Sequence, residues 1–403
     1  MTEPAESDVV DEIPDESPED EIRDDDSLST SDLADLVLYT LDWSVQSLLE
    51  RIGTTFDIAP TFQRRDAWSI DRKSLYIESL LLGLPVPQIV LAEDKERKGR
   101  FIVLDGKQRL VTLKQFASPD ESFRPFRLKN LEFATELEGL SFDDIATSLL
   151  HQAQTENFLA QPVRTIVVRN WKNPAVLYQV FLRLNQGSLS LSPQELRQAL
   201  YPSDFTKWIN VRSAASREIQ RARRIKREDF RMRDAEMLLR YTAFFENIEG
   251  YRGNLRGFLD EACVSGARRW ADDGEAYFET VADRCEMAIR RTFDAFTEKD
   301  SFLRYEHDGY IRRFNIAVFD MMTAVLGDVT LADADFAAHT SEIREAYESL
   351  CIEDRMFNES LVTTTKTREA TGGRIIAFGS EVARIVGHDL EIVDRARTML
   401  RAE

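Results

Sequence analysis

The stretch from Val103 to Leu113 constrains the fold of this chain more than any other segment. It reads Val-Leu-Asp-Gly-Lys-Gln-Arg-Leu-Val-Thr-Leu, an apolar run followed by a glycine and then by helical periodicity. Gly106 permits a tight turn or a positive φ, and the amides that begin a helix form a favourable environment for an anion. The pattern predicts a strand–turn–helix corner. It leaves open whether the polar residues bind a ligand or only cap the corner.

The polar residues of this corner suit phosphate chemistry. Asp105 is placed to hold Mg²⁺ or orient water, Gln108 to position water or a phosphate, and Arg109 to contact phosphate in a bidentate manner. The corner is not a Walker loop, because the Gly-x₄-Gly-Lys-Ser/Thr spacing is absent. The residues of the corner alone therefore exclude a Walker loop and leave a phosphate site and a merely capped corner as alternatives.

Helical and β-type periodicity alternate over residues 32–202, which predicts an α+β domain with a small mixed sheet. Beyond about residue 203 the periodicity is almost only helical, with no convincing strand before 375, so a helical domain over 203–403 is expected. The elements predicted for the first domain are a short helix through Leu33, Leu36 and Val37, helices over 71–83 with Asp71 as cap, over 110–116 and from Pro174, a helix opened by the Ser192–Glu195 capping box, a hairpin of strands 88–92 and 101–104, and a strand over 163–168.

Charge is distributed unevenly along the chain. The formal net charge is −19, from 52 basic and 71 acidic residues, but residues 1–26 hold thirteen carboxylates against the single Arg23. Residues 1–31 are therefore predicted to be an acidic, disordered tail, either solubilising or a phosphate mimic for a basic groove. Three widely spaced cysteines, no basic leader segment and no long apolar run favour a cytoplasmic protein without a membrane span.

Two further segments join the corner to form three ordered boxes. The first is Phe62-Gln63-Arg64-Arg65-Asp66-Ala67-Trp68, and the last runs from Phe181-Leu182-Arg183-Leu184-Asn185 to Ser192-Pro193-Gln194-Glu195-Leu196. With the corner between them, these boxes resemble the GmrSD-type N-terminal domain, which is signed by Asp-Gly-Gln-Gln-Arg and belongs to a larger ParB/sulfiredoxin-like group. The resemblance covers roughly residues 35–200 strongly and the helical half loosely.

The resemblance implies a ParB/sulfiredoxin-like domain that binds, and hydrolyses, a nucleoside triphosphate with Mg²⁺ in a restriction or antiphage system. Lys107 departs from the family pattern, because it stands where the family has its first Gln. The implied catalytic residues are Asp105, which is also the metal ligand, Gln108 and Arg109, and the implied nucleotide-binding residues are Gln63, Arg64, Gly106, Lys107, Thr112, Arg183 and Asn185.

The nuclease domain found in many family members is not expected in this chain. Family members often carry a His-Asn-His nuclease, but the four histidines here (His151, His307, His339 and His388) have no partners at metal-ligand spacing. A separate nuclease subunit is therefore expected as partner, and a homo-oligomer is also possible. Two alternatives to an NTPase stay open, a non-catalytic sensor of nucleotide or modified DNA that recruits a nuclease, and a DNA-binding regulator like ParB relatives.

A basic run between Arg212 and Arg233 is the candidate DNA contact. Nine basic residues lie there with three carboxylates, and a fourth, Asp234, follows directly; Arg223, Arg224 and Arg227 are its densest part. The alternative is a solvated helix face held by its own ion pairs.

Overall fold

The computed structural model describes residues 34–56, 68–184, 192–226, 228–229, 231–363 and 365–401, without the side chains of 181–184. These residues form two compact units that divide between Leu200 and Tyr201.

A four-stranded mixed sheet is the centre of the N-terminal unit. Its strands are β1 (Val37–Ser44), β2 (Ile89–Glu93), β3 (Phe101–Asp105) and β4 (Pro162–Arg169), in the order β1-β4-β2-β3. The β2–β4 pair is parallel, while β1–β4 and β2–β3 are antiparallel. The predicted hairpin and third strand are therefore confirmed, and β3 occupies one edge of the sheet.

Strand β1 corrects the sequence prediction of a short helix ending at Val37. Val37 instead opens a strand that pairs along its whole length with β4, from Val37 opposite Arg169 to Ser44 opposite Pro162. The partner strand lies more than a hundred residues away in the chain. Pairing with a distant strand outweighs weak local helix propensity, and no local pattern reports such a partner.

Helices cover both faces of this sheet and bury two apolar clusters. One face packs α1 (Val45–Arg51), α2 (Ile70–Leu81), α3 (Lys107–Ala117), α4 (Phe142–Ala146) and α5 (Gln152–Ala160). The other face packs α6 (Pro174–Leu184) and α7 (Pro193–Leu200). Successive strand residues point to opposite faces, so Ile89 joins the first cluster and Val90 the second.

Two helix starts test the capping predictions. Helix α2 begins one residue earlier than expected, because the Ser69 Oγ accepts from the Arg72 amide at 3.3 Å, so Asp71 is a first-turn acid and not the cap. Helix α7 has the predicted capping box, in which Ser192 Oγ accepts from the Glu195 amide at 3.1 Å and Glu195 Oε2 accepts from the Ser192 amide at 2.7 Å.

The second unit, from Tyr201 onward, is mainly helical, as predicted. Together with the N-terminal sheet it makes the fold class α+β. A hairpin of β5 (Leu303–Glu306) and β6 (Gly309–Phe314) corrects the expectation of no strand before 375. The hairpin is too short for a clear alternation, and a cross-strand contact between Tyr305 and Tyr310, with ring centroids 5.0 Å apart, supports it.

The helices of this second unit are α8 (Asp204–Ala215), α9 (Arg217–Arg223), α10 (Arg233–Asn247), α11 (Leu255–Asp300, broken at Gly274), α12 (Ile316–Leu326), α13 (Asp333–Ala338), α14 (Thr340–Glu353), α15 (Arg355–Val362), α16 (Arg368–Val386) and α17 (Glu391–Arg401). Over the described ranges, no helix combines the length and the apolar character needed to cross a membrane.

Candidate phosphate-binding turn

The turn between β3 and α3 has the geometry that its sequence predicts. Strand β3 ends at Asp105, Gly106 adopts a left-handed φ of +94°, and α3 starts at Lys107. A Cβ at Gly106 would lie 3.0 Å from Ile89 Cγ1 and 3.2 Å from Arg109 Nε. Both the backbone conformation and the close packing therefore require glycine at this position.

Asp105 and Arg109 hold each other across this turn. Asp105 Oδ2 lies 2.7 Å from Arg109 Nη2, and Asp105 Oδ1 accepts from the Gly106 amide at 2.8 Å. Both side chains are largely buried, with exposed fractions of 17% and 9%. The carboxylate therefore fixes the turn and the guanidinium in one arrangement.

The start of α3 has no side-chain cap, since its N-cap residue is Gly106. The first amide bonded within the turn is that of Leu110, which donates to the Gly106 carbonyl at 3.0 Å. The amides before it have no partner within the helix, and the helix dipole makes this end positive. Within the described residues, Arg109 Nε and Gln108 Oε1 are also buried without a hydrogen-bond partner.

Lys107 connects the turn to the third box. Its Nζ lies 2.7 Å from Glu195 Oε1, and both side chains are buried. Because Glu195 also completes the capping box of α7, one carboxylate serves the helix start and the lysine. The ion pair neutralises Lys107, so its charge is directed at Glu195 in this structure. The sequence showed Glu195 as a capping residue but gave no sign of this second contact.

Tyr76 on α2 contacts the end of the first box. Its ring meets the Trp68 ring edge-to-face with centroids 5.7 Å apart. The hydroxyl is buried and has no hydrogen-bond partner in the described part of the chain. Burial raises the pKa of Tyr76, and the positive charge of Arg109 opposes that rise. Sequence reasoning missed Tyr76, because a tyrosine on a helix with an apolar face reads as core.

The other predicted nucleotide-binding residues have different placements. Thr112 is fully buried one turn further along α3, where its hydroxyl donates to the Gln108 carbonyl at 2.7 Å. Gln63, Arg64 and Asn185 lie outside the described residues, as does the side chain of Arg183. Their contacts with nucleotide stay predictions.

Comparison with protein families identifies this part of the chain. Residues 45–202 match the family described as the GmrSD restriction endonuclease, N-terminal domain. This region is a GmrSD N-terminal domain. The match begins with α1, ends just after α7 and so contains all three boxes. The comparison with curated proteins gives no match.

Outside the GmrSD N-terminal domain, the predicted DNA contacts pack against their own unit. The Arg223 guanidinium lies 4.6 Å from the centroid of the Phe314 ring, and the residue is 8% exposed. Arg224 donates to the Glu298 carbonyl at 3.3 Å and also to that of Lys299. Arg227 lies outside the described residues, as does the acidic tail at 1–31. Phosphate contact by these arginines stays a prediction.

Proposed function

We propose that this chain is the nucleotide-binding, NTP-hydrolysing component of a DNA-targeting restriction system, with its phosphate site at the Asp105–Arg109 turn. One observation carries the proposal. Asp105 holds the buried Arg109 at the start of α3, and Arg109 Nε has no hydrogen-bond partner among the described residues. An arginine and a helix start together form an electropositive site of the kind that binds phosphate groups. The GmrSD N-terminal domain supplies the restriction context.

The two basic residues of the turn have different tasks in this proposal. Arg109 contacts phosphate oxygens, because it retains open donors and is held rigidly by Asp105. Lys107 does not need to reach the phosphates, because Glu195 already neutralises it. Lys107 instead holds the start of α7 against the turn. The departure from the family's Gln thus replaces a neutral side chain by one half of a buried ion pair.

Mg²⁺ fits this site as a companion of the nucleotide. Each Asp105 oxygen has one hydrogen-bond partner here and retains a further lone pair. Mg²⁺ typically uses one or two carboxylates together with substrate phosphates and waters, so a single aspartate is a sufficient protein ligand. When bound, Mg²⁺ would neutralise charge on the phosphates.

Hydrolysis in this proposal rests on positioning and on charge stabilisation. Gln108 would orient the attacking water, because its buried Oε1 has no partner among the described side chains and accepts a water proton. Arg109 would stabilise charge that develops on the transferred phosphoryl group. Asp105 holds Arg109 in place for this step.

The test is phosphate release from ATP, GTP, CTP and UTP with Mg²⁺, with and without DNA. We expect turnover with at least one nucleotide by the wild-type protein and none by Asp105→Ala. Asp42→Ala is the matched control, since Asp42 is an exposed aspartate of β1 that pairs with Arg164 at 3.2 Å. Equal turnover by the Asp105→Ala variant would contradict the proposed site.

A non-catalytic sensor is the second candidate function. It is favoured by the contacts of Asp105, whose two oxygens accept from the Gly106 amide and from Arg109. These contacts give Asp105 a task in shaping a binding turn that requires no catalysis. Nucleotide binding without turnover in the assay above, with binding weakened by Asp105→Ala, would support the sensor. The sensor would then act by recruiting a separate nuclease.

DNA contact by the basic run of the second unit is part of the proposal. Arg223 and Arg224 would exchange Phe314 and helix carbonyls for phosphates. We expect the double variant Arg223→Ala, Arg227→Ala to flatten the salt dependence of DNA binding. An unchanged slope would leave this run a structural element of its unit.

A further inference from the structure

We propose that Tyr76 is a phosphate-contact residue of the turn, and that the site accepts a terminal phosphate group in preference to an internal phosphate of a DNA strand. The inference rests on the proposed function and deepens it. No motif of the GmrSD N-terminal domain quoted above includes Tyr76.

Three buried polar atoms at adjoining helices support this inference. They are the Tyr76 hydroxyl on α2 and the Gln108 Oε1 and Arg109 Nε atoms on α3, each without a hydrogen-bond partner among described residues. Buried polar atoms in native proteins are almost always paired, since desolvation without a partner is costly. Three such atoms on two helices that pack in one cluster therefore point to a ligand that pairs them.

Tyr76 lies on a helix that packs in the same apolar cluster as the turn. Helix α2 packs beside α3 in one apolar cluster, which includes the Tyr76 ring and Ile89 under the turn. The Trp68 ring meets the Tyr76 ring edge-to-face. Burial raises the pKa of the Tyr76 hydroxyl, and the positive charge of Arg109 acts against that rise. The hydroxyl itself contributes no hydrogen bond to this packing.

The types of these atoms indicate what the ligand presents. The Tyr76 hydroxyl and the Arg109 Nε–H are donors, as are the first amides of α3, and donors suit an oxyanion. The Gln108 oxygen accepts, and it suits a water or a hydroxyl. Because the donors are buried, the group that reaches them must enter end-on. A terminal phosphate has one link and three free oxygens, whereas a phosphate within a strand is linked on both sides.

The experiment is isothermal titration of ATP, GTP, CTP and UTP with Mg²⁺ into the full chain and into Tyr76→Phe. We expect the variant to bind the preferred nucleotide about tenfold more weakly, as for the loss of one hydrogen bond to a charged group. The matched control is Tyr39→Phe, which removes a hydroxyl from the same unit at β1, where the ring lies under Arg169. Its affinity should equal that of wild type.

Thermal unfolding separates a ligand contact from a structural role. Without nucleotide, Tyr76→Phe should melt at the wild-type temperature or above it, because an unpartnered buried hydroxyl is removed. The stabilisation produced by nucleotide should be smaller in the variant. A lower melting temperature without nucleotide, together with unchanged affinity, would overturn the inference and make Tyr76 a structural residue.

The remaining outcomes separate this inference from the proposed function. If wild type binds a nucleotide and Tyr76→Phe binds it equally well, the inference fails and the proposed function stands. If wild type binds none of the four nucleotides, the proposed function fails. The inference then fails as well, unless a short DNA duplex with 5′-phosphates binds to wild type and binds more weakly to Tyr76→Phe. That result would retain only the contact between Tyr76 and a terminal phosphate. An equal loss for the matched 5′-hydroxyl duplex would overturn the preference for a terminal phosphate.

Discussion

Arg109 in the N-terminal unit and Arg212 in the helical unit are both largely buried, yet their donors are used differently. Arg212 meets three carboxylates, with Nε 2.9 Å from Glu279, Nη2 3.0 Å from Asp283 and Nη1 2.6 Å from Glu286. Burial lowers the pKa of Arg212, but Glu286 and Glu279 outweigh that effect and raise it overall. Arg109 pairs with Asp105 alone and keeps a buried, unpartnered Nε within the described structure.

The number of basic residues in a segment is therefore a weak sign of a phosphate site. The run from Arg212 to Arg233 has the larger positive charge, but Arg212, Arg221 and Arg223 use it on carboxylates or on an aromatic ring. The turn at Asp105 has a single arginine with donors to spare. The combination of an unpartnered Arg109 Nε with the neighbouring unpartnered Gln108 Oε1 at a helix start, and not net charge, is the basis for the site that we propose.

The largest expected effect is that of Arg109→Ala. We expect it to lower kcat/KM for the preferred nucleotide about 1000-fold, or about 4 kcal/mol, as for other arginines that stabilise phosphoryl transfer. Arg212→Ala is the matched control, and it should lower the melting temperature while the kinetics of the remaining folded protein stay the same. Similar kinetic losses in both variants would remove the distinction between the two arginines.

The Lys107–Glu195 pair should have the next largest effect, on stability. Lys107→Gln, which restores the family residue, and Glu195→Gln should each lower the free energy of unfolding by about 3 kcal/mol, because each leaves a buried charge unpaired. The double variant should lose less than the sum of the two. Urea denaturation of all four proteins measures this coupling, and additive losses would show that the pair is not coupled.

Gly106→Ala tests the close packing of the turn against a glycine with the same backbone strain. Gly106 and Gly99 have φ of +94° and +83°, but a Cβ at Gly99 would have no atom within 4 Å. Gly99→Ala should therefore cost about 1 kcal/mol for the left-handed backbone alone. Gly106→Ala should cost about 2 kcal/mol or more, because its Cβ also meets Ile89 and Arg109. Equal unfolding midpoints would exclude the packing constraint.

Local patterns predicted the turn well, because everything that defines it lies within a few residues. The β2–β3 hairpin, Gly106 and the Ser192 capping box are set by neighbours in sequence, and the structure has each of them. Strand β1 was not predicted, because its partner β4 is distant in the chain. The β5–β6 hairpin was too short to show a period.

Two contacts of the site residues could not be predicted from sequence, because their partners are distant in the chain. Asp105 and Arg109 lie four positions apart, so their contact is local. The Lys107–Glu195 contact joins residues 88 positions apart. Tyr76 approaches from another helix, and its unpaired hydroxyl became visible only once burial was known. Composition carries no such information.

Glu78 on α2 is a buried charge with a full set of partners, in contrast to the open donors of the turn. Its carboxylate accepts from the amides of Glu132, Phe133 and Ala134 at 3.1, 2.7 and 2.7 Å. Burial acts to raise the pKa of Glu78, but the three amides outweigh it and hold the pKa below the ordinary value of 4.5.

This lowered pKa makes the contribution of Glu78 to stability pH-dependent. The contribution is complete above pH 4.5 and is lost as the pH falls through the lower pKa of the folded state. We expect Glu78→Gln to be less stable than wild type at pH 7 by about 1.5 kcal/mol and to lose less stability between pH 5 and about 3. Denaturation across this range measures it, with Glu50→Gln as an exposed control. Parallel pH profiles would contradict this role of Glu78.

Arg221→Ala should have the smallest effect, and it tests the other half of the comparison. Arg221 lies 2.7 Å from Glu218 and 3.0 Å from Glu298, and its side chain is 44% exposed. Ion pairs of this kind contribute at most about 1 kcal/mol, so the unfolding midpoint should move little.

Because two carboxylates already match the charge of Arg221, the slope of log affinity for DNA against log salt should stay the same. Arg384→Ala, which removes an exposed arginine paired with Glu381 in the same unit, is the control. A slope reduced by about 1 in Arg221→Ala alone would show that this arginine leaves its carboxylates for a phosphate. Arginines of the basic run would then exchange their carboxylate partners for phosphates when DNA is present. They would differ from Arg109 in that they must first give up these partners.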